Sequence, residues 1–530
     1  MMQTQSNDKE FTTIQGEHAN KTSEVLHKDS TSSVNVLRNN TQQETNNFIE
    51  KTDLEMAKAE TLEPGTVMMT PEEFKSFKKE GFRVVLGGIL VHLVLGTFYM
   101  WGTISLYVAS WLRAEDPSID ISIVKMVFPF MNLAMNITMY YGLVLGAKIG
   151  PRRLCMIGIS LIALFTFVSS WITNFAGFLM LYGIGVGLAN GLIYMIPINC
   201  GWKYFPQKKG AVSGWIIGGF GFGSFIFNYV SLALINPSNA SPSAISDGTK
   251  YFTQDIYEGV PKMLRILGAC YLVVGLIGSL LIKTPSVLPA NPEYKAPPKM
   301  AKSVKKVNKG VETFFEGFFT INCLMLVSIM FGGTFYGLTM TNNYKVYGME
   351  KIPDDLFLTT VGSVGSAMNG CARVFWATLS DRFGFKKVMS ILLIIQCIFC
   401  PTYDLISSSK GAFFLWYCVA MATEGGLLAL LPAVTGRVFG PKKGSQIYSV
   451  VFFGLTTANL AAFFVSKYGQ KSLGWNGIFW LSFGFTIFAL VVTILFDEYP
   501  DFTKKKPKKI ENQKNLEDGS SGETKSENKI

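Results

Sequence analysis

Asn369–Lys387 reads NGCARVFWATLSDRFGFKK and joins an apolar helix to a polar turn. Within its apolar part, Arg373 lies seven residues before Ser380, where the apolar run stops. At 1.5 Å per residue, Arg373 is roughly 10 Å below the end of the helix. In a bilayer with a hydrocarbon core about 30 Å thick, that depth is inside the core. Because a buried guanidinium is costly, Arg373 is predicted to face a water-filled cavity, a counter-ion or a substrate.

The composition is that of a membrane protein. The chain has 530 residues and is 49% hydrophobic and 16% charged, whereas soluble domains are about 25% charged. The charges concentrate in residues 1–83, 284–312 and 497–530 and in short loops. A net charge of +11 does not indicate nucleic acid, because the basic residues flank apolar segments. The eight cysteines lie in or beside these segments and are expected to be packing residues, neither disulfides nor metal ligands.

Apolar stretches of membrane-spanning length recur along the chain. About twelve spans are predicted, at residues 84–112, 122–146, 154–172, 176–199, 211–235, 263–282, 318–341, 356–379, 388–406, 412–435, 446–466 and 475–496. The predicted fold class is all-α: a polytopic membrane protein with about twelve transmembrane helices in two pseudo-symmetric six-helix bundles. Five segments are predicted: a disordered cytosolic tail (1–82), a six-helix bundle (83–283), a cytosolic linker (284–317), a second six-helix bundle (318–497) and a disordered basic cytosolic tail (498–530).

Two basic turns recur at a constant spacing. Gly150–Arg153 (GPRR) corresponds to Gly384–Lys387 (GFKK), and 384 − 150 = 234. Phe205–Gly210 (FPQKKG) corresponds to Phe439–Gly444 (FGPKKG), and 439 − 205 is again 234. A common offset for two separate turns indicates two homologous six-helix halves.

The basic turns also predict the orientation. Lys and Arg cluster after the second, fourth, eighth and tenth spans, in the linker and in the C-terminal tail. The intervening loops are acidic, mixed or nearly uncharged. The positive-inside rule therefore places both termini in the cytosol. The plasma membrane is the favoured location.

The turn after the eighth span carries a family resemblance. Leu379–Lys387 (LSDRFGFKK) resembles the loop between helices 8 and 9 of the major facilitator superfamily. The first-half copy, Leu145–Arg153 (LGAKIGPRR), has Ala147 in place of the acidic residue. In the superfamily this acid helps to lock one face closed, so the resemblance implies a lock that rests more on the second half. It implies gating roles for Asp381, Arg382, Gly384, Lys148 and Arg152.

Within the superfamily, the chain is similar to the oxalate:formate antiporter family and its monocarboxylate-transporter relatives. The similar stretches are His92–Gly102, Trp202–Gly223 and Glu424–Gly440, within about residues 83–497. The resemblance implies that Arg373 binds a substrate carboxylate. Oxalate carriers add a lysine in helix 11, but no Lys or Arg lies between Tyr448 and Val465. A monocarboxylate is therefore expected rather than oxalate.

Three ionisable residues inside the spans have alternative readings. Arg373 has a planar fork that matches a carboxylate, or it forms a structural ion pair with Glu424. Glu424, near the middle of its span, either carries a proton or neutralises Arg373. His92 either couples protons or is a neutral, hydrogen-bonded packing residue.

Aromatic residues with polar groups are further candidates for the substrate site. A tyrosine hydroxyl or a tryptophan N–H can donate a hydrogen bond to a polar substrate, although core packing is an equal alternative. The candidates are Tyr99, Trp101 and Tyr194. Asn132, Asn136, Asn190 and Asn369 are expected to bridge helices.

The predicted function is secondary transport of a small organic anion, a monocarboxylate, by alternating access with a proton or a counter-anion. The predicted partners are that anion, the proton or counter-anion and the lipid bilayer, without nucleic acid, and the protein is expected to be a monomer. No cofactor is indicated, and an enzyme is not expected, because no nucleophile–base constellation or metal cluster is present. The alternatives are a carrier of another small solute and a non-transporting membrane receptor or assembly subunit.

Overall fold

A computed structural model describes residues 66–238, 240, 242–246, 249–291, 310–500 and 502. The expected tail up to residue 65, the middle of the linker and the basic tail from residue 503 lie outside the described residues. Strand β1 (Thr66–Val67) pairs in parallel with β4 (Leu288–Pro289) in a small unit of its own. The remaining described residues form the second unit, which contains the antiparallel hairpin of β2 (Ala244–Ser246) and β3 (Thr249–Tyr251).

The second unit is built from long helices. In the first half these are α1 (Pro71–Glu115), α2 (Ile121–Ile149), α3 (Pro151–Trp171), α4 (Phe175–Tyr204), α5 (Pro206–Ile235) and α6 (Gln254–Leu281). In the second half they are α7 (Ile321–Lys351), α8 (Asp355–Phe383), α9 (Phe385–Ile406), α10 (Lys410–Val438), α11 (Gly440–Val451, Phe453–Phe464 and the π-turn Val465–Gly469) and α12 (Gln470–Leu495). A 3₁₀ turn, Gly96–Met100, interrupts α1, and a short helix, Phe314–Phe318, precedes α7.

The predicted number of spans is confirmed. Among the described residues, ten helical segments are long and apolar enough to cross a membrane. One of them, Lys443–Leu495, has 53 residues, or about 80 Å of helix, which is far more than one crossing needs. It comprises α11 and α12, and Gly474 interrupts it with φ 63° and ψ 177°. Helix α8 is not among the ten, but its 29 residues pack against α5 and α10. Together these give twelve helices.

The turns at Gly150 and Gly384 have the same backbone conformation. Gly150 has φ 94° and ψ 145°, and Gly384 has φ 92° and ψ 154°. Each ends one helix and begins the next, and only glycine adopts this region readily. The internal repeat found in the sequence is therefore also a repeat in three dimensions.

The first helix begins earlier than predicted. The sequence analysis extended the disordered tail to residue 82, but α1 begins at Pro71, so residues 71–82 are helical. Thr70 and Glu73 form a capping box: the Thr70 hydroxyl accepts from Glu73 N at 3.3 Å, and Glu73 Oε2 accepts from Thr70 N at 2.8 Å. Such reciprocal bonds fix a helix start even in a polar stretch.

Glycines let α5 of the first half approach α8 of the second half. A Cβ atom at Gly221 would lie 2.4 Å from Gly370 N, and one at Gly214 would lie 2.8 Å from Arg373 O. Both distances are below van der Waals contact, so side chains at these positions would push the backbones apart. The glycines of α5 therefore allow the close approach that sets the position of Arg373 relative to the first half.

The two halves are also tied at the end that carries the basic turns, called here the basic end. Asp381 on α8 accepts hydrogen bonds from Gly210 N at 3.1 Å and Ala211 N at 2.7 Å, at the start of α5. A carboxylate is favourable there because the first N–H groups of a helix lack partners. Lys209 Nζ adds a bond to Gly436 O of α10 at 3.1 Å. The repeat equivalent of Asp381 is Ala147, which cannot make such a clamp.

The seam between α5 and α8 predicts a stability difference. Gly221→Ala places a methyl group against the backbone of Gly370, and overpacking costs about 1–3 kcal/mol. Gly484→Ala on α12 is the matched control, because a Cβ there meets nothing within 4 Å. Thermal unfolding in detergent should show a lower melting temperature for the first variant only. Equal melting temperatures would contradict the close approach.

The Asp381 clamp predicts looser closure of the basic end when it is removed. Asp381→Ala leaves the two N–H groups at the start of α5 without their acceptor. Spin labels at the exposed, repeat-related positions Arg153 and Lys387, in a protein whose accessible cysteines are replaced, report the distance between the halves. The variant should shift the distribution to longer distances, whereas Glu72→Ala, at the exposed start of α1, should not. Identical distance distributions for Asp381→Ala and the parent protein would show that the clamp does not hold the basic end closed.

Candidate functional site

Two cavities lie between the halves, on either side of Tyr99. The central chamber has an empty volume of about 350 Å³ and contains Arg373 in its wall. The distal chamber has an empty volume of about 390 Å³ and lies beyond Tyr99, farther from the basic end. Tyr99 lines both chambers and comes from the 3₁₀ turn of α1, where the helix is locally tightened.

Aromatic side chains are half of the described residues that line the central chamber. They come from both halves, so the chamber lies where the two bundles meet. Its aromatic and polar lining consists of Phe98, Tyr99, Phe128, Asn132, Tyr194, Phe220, Arg373 and Phe452. The Tyr194 ring is 6.1 Å from Phe220 and 5.7 Å from Phe452, so the rings pack on one another around the cavity.

Arg373 is held in place but not fully hydrogen-bonded. Its side chain is only 1% exposed. Nε donates to Asn369 Oδ1 at 2.9 Å, one turn earlier on α8, and Nη1 donates to Ile217 O of α5 at 3.1 Å. The guanidinium carbon is 5.2 Å from the centre of the Phe220 ring. Nη2 is buried without a partner. A buried donor on a cation is costly to leave unsatisfied, so this arrangement favours an incoming acceptor.

Glu424 is buried beside the wall between the chambers. It is 0% exposed and accepts hydrogen bonds from Tyr99 Oη at 3.1 Å and from Thr341 Oγ1 at 3.4 Å. No salt bridge joins it to Arg373 in the described part of the chain. Asn369 instead connects their two helices, because its Nδ2 donates to Met421 O of α10 at 3.0 Å. The ion pair considered in the sequence analysis is therefore not formed.

His92 and Trp101 line neither chamber. His92 is fully buried, and its Nδ1 is 2.9 Å from Gly88 O, one turn earlier on α1. This is the contact expected of a packing histidine, although the His92 ring lies 5.3 Å from the Tyr194 ring that faces the chamber. Trp101 packs against Phe178 and Tyr182 of α4, with centroids 6.2 and 5.6 Å away. The structure thus brings Arg373, Tyr99, Tyr194 and Glu424 together and leaves these two outside.

The candidate gating residues differ in their contacts. Asp381 forms the clamp on α5, and Gly384 makes the turn from α8 to α9. Arg382 and Lys148 are exposed, and the Arg382 guanidinium lies over the Phe383 ring. Arg152 donates from Nε to Ile282 O at 3.2 Å, a contact within the first half. Only Asp381 among these five bonds the two halves to each other.

Sequence reasoning missed several residues around the site. Phe220 and Thr341 contact Arg373 and Glu424 but were not singled out, because an aromatic or a threonine in a span has no distinctive signal. Asn369 was expected only to bridge helices, which it does. Its spacing of four from Arg373 placed both on one helix face, and that signal was available from the sequence.

Comparisons with known proteins agree with this architecture. Residues 353–520 match the family model described as Major Facilitator Superfamily. Apicoplast pyruvate carrier 1 of Toxoplasma gondii is 26% identical, with 75% of this chain and 85% of the carrier covered. The oxalate:formate antiporter of Oxalobacter formigenes is also 26% identical, with 78% and 91% covered.

A solved structure shows the same fold. The proton:xylose symporter XylE, bound to 6-bromo-6-deoxy-D-glucose, matches with a TM-score of 0.58 at 14% identity. The match covers 79% of this chain and 96% of the symporter chain. With its twelve helices in two repeated halves and these likenesses, the chain is similar to members of the Major Facilitator Superfamily, whose family model it matches at residues 353–520.

Proposed function

We propose that this protein is a secondary carrier of a small monocarboxylate, which binds to Arg373 in the central chamber. The observation that carries the proposal is the buried Nη2 of Arg373, which has no partner and belongs to a cation. Nε and Nη1 are already used by Asn369 and Ile217. A carboxylate at Nη2 gives a partner to the one guanidinium nitrogen that lacks one and neutralises the charge at the same time.

The chamber wall favours one negative charge rather than two. Arg373 is the only Lys, Arg or His among the described residues that line the central chamber. Near the place where oxalate carriers of the family have a lysine, this chain has the buried, apolar Val451. Two relatives are named as a pyruvate carrier and an oxalate:formate antiporter, and these names support a small carboxylate as the proposed solute.

Glu424 supports proton coupling as one form of charge compensation. Its carboxyl group is buried and accepts from the Tyr99 hydroxyl, and Tyr99 lines the same chamber as Arg373. Moving a proton on Glu424 therefore changes the charge close to the bound anion. Exchange for a second anion is the alternative, with Arg373 as the cationic site in both directions.

The transport cycle proposed here is alternating access between the halves. The Asp381 clamp and the Lys209 bond to Gly436 hold the basic end closed in this structure. We place that end and both termini in the cytosol by the positive-inside rule, favour the plasma membrane, and expect a monomer.

Transport assays in proteoliposomes test the anion site. Labelled formate, lactate, pyruvate and oxalate are offered with and without an inward proton gradient. Arg373→Gln removes the cation and should abolish uptake of the monocarboxylates. Arg373→Lys keeps the charge without the fork and should retain only a small part of it. Arg265→Gln, at an exposed arginine of α6, is the matched control and should transport like the wild type.

The outcomes separate the possible mechanisms. Gradient-stimulated uptake supports proton symport, and uptake that requires an anion on the other side supports exchange. Near-normal monocarboxylate uptake by Arg373→Gln, with normal insertion, would rule out the site. Failure of the wild type to take up any of the four anions would shift the assignment to another solute or to a non-transporting protein.

A charge swap tests whether Arg373 and Glu424 form a structural pair. Because Arg373 bonds Asn369 and Ile217 while Glu424 bonds Tyr99 and Thr341, the two positions are not interchangeable. Arg373→Glu combined with Glu424→Arg should therefore remain inactive in uptake, like each single variant. Recovery of uptake in the double variant would instead show that Arg373 and Glu424 serve only to compensate each other's charge.

A further inference from the structure

The distal chamber differs from the central chamber in chemistry. Its wall contains hydroxyl and amide groups, among them Thr103, Ser224, Asn228, Thr341, Ser366 and Asn369. No Asp, Glu, Lys, Arg or His is among the described residues that line it. Its empty volume is close to that of the central chamber.

Several hydroxyls of the distal chamber already use their protons within the protein. The hydroxyls of Ser224 and Ser366 donate to carbonyls of their own helices, Gly221 O and Gly362 O, each at 3.0 Å. Thr341 Oγ1 lies 3.0 Å from Gly337 O and 3.4 Å from Glu424 Oε2, and these two acceptors share its single proton. A hydroxyl that already donates a hydrogen bond to the backbone can only accept a hydrogen bond from a ligand. The chamber thus offers acceptors and no positive charge.

Asn228 supplies the clearest unsatisfied group. It is 1% exposed, it lines the distal chamber, and its Oδ1 is buried without a partner. It lies eight residues beyond Phe220 on α5, about 12 Å farther from the basic end. A buried amide oxygen without a donor is costly, so it favours a ligand that brings an O–H group.

We propose that the distal chamber is a second solute site, which accepts the O–H group of a small uncharged acid or of a hydroxy acid before the molecule passes Tyr99. This inference rests on the proposed function, since it concerns the same class of solute. It separates two tasks: the distal site recognises a neutral donor, and the central site recognises a carboxylate. A solute entering from the basic end reaches Arg373 without meeting the distal chamber first.

Sidedness provides the test. Asn228→Leu removes the acceptor at nearly constant size. Asn190→Leu is the matched control, because Asn190 is equally buried with an unpartnered Oδ1 but lines neither chamber. Uptake of labelled lactate is measured in right-side-out and inside-out vesicles. The measured quantity is the KM from the distal end divided by the KM from the basic end.

Asn228→Leu should raise this ratio roughly three- to tenfold, the effect of losing one hydrogen bond, while Asn190→Leu should leave the ratio unchanged. A ratio that stays at the wild-type value in Asn228→Leu, or that rises equally in both variants, overturns the distal site. If wild-type vesicles take up none of formate, lactate, pyruvate and oxalate from either side, the proposed function fails and the distal site for this solute class fails with it. The wild-type measurement thus distinguishes the two failures.

Discussion

The position of Arg373 is the constraint around which the two halves are arranged. A permanent positive charge in the middle of a membrane protein requires partners, because the surrounding medium cannot solvate it. The protein supplies two hydrogen bonds, from an amide on the same helix and from a backbone carbonyl of the other half, together with the face of an aromatic ring. It leaves one guanidinium nitrogen, Nη2, without a partner. This incomplete solvation is the feature on which the proposed binding role of Arg373 rests.

The hydrogen bond from Arg373 to Ile217 O of the first half exists only because α5 and α8 are unusually close. Ile217 O lies on α5 among glycines whose hydrogen atoms face α8, and a methyl group at Gly214 or Gly221 would meet backbone atoms. Small residues therefore have an electrostatic consequence here, beyond packing. They bring a carbonyl dipole of the first half within reach of a cation that belongs to the second half.

Much of this was predictable from the sequence because the strong signals are periodic or costly. Apolar length predicted the helices, the 234-residue offset predicted the two halves, and one arginine in an apolar run indicated the cavity. The start of α1 at Pro71 was missed because a capping box in a polar stretch resembles a disordered tail. Trp101 and His92 were candidates by residue type, but the sequence alone does not specify the direction in which a side chain points from a helix. The distal chamber was missed because serines, threonines and asparagines in spans usually bond their own helix.

The unequal fastening of the basic end has a mechanical consequence. The clamp at the start of α5 has no counterpart where Ala147 stands. Helices α2 and α11 are instead joined by Asn136 Nδ2, which donates to Ser449 O at 3.0 Å and lies 14 residues before the turn at Gly150. Such a neutral bond to a single carbonyl is weaker than a carboxylate held by two N–H groups. If the halves part, the α2–α11 edge gives way first and the α5–α8 edge serves as the pivot. The two halves are then expected to separate by rotation about the α5–α8 edge rather than evenly on both sides.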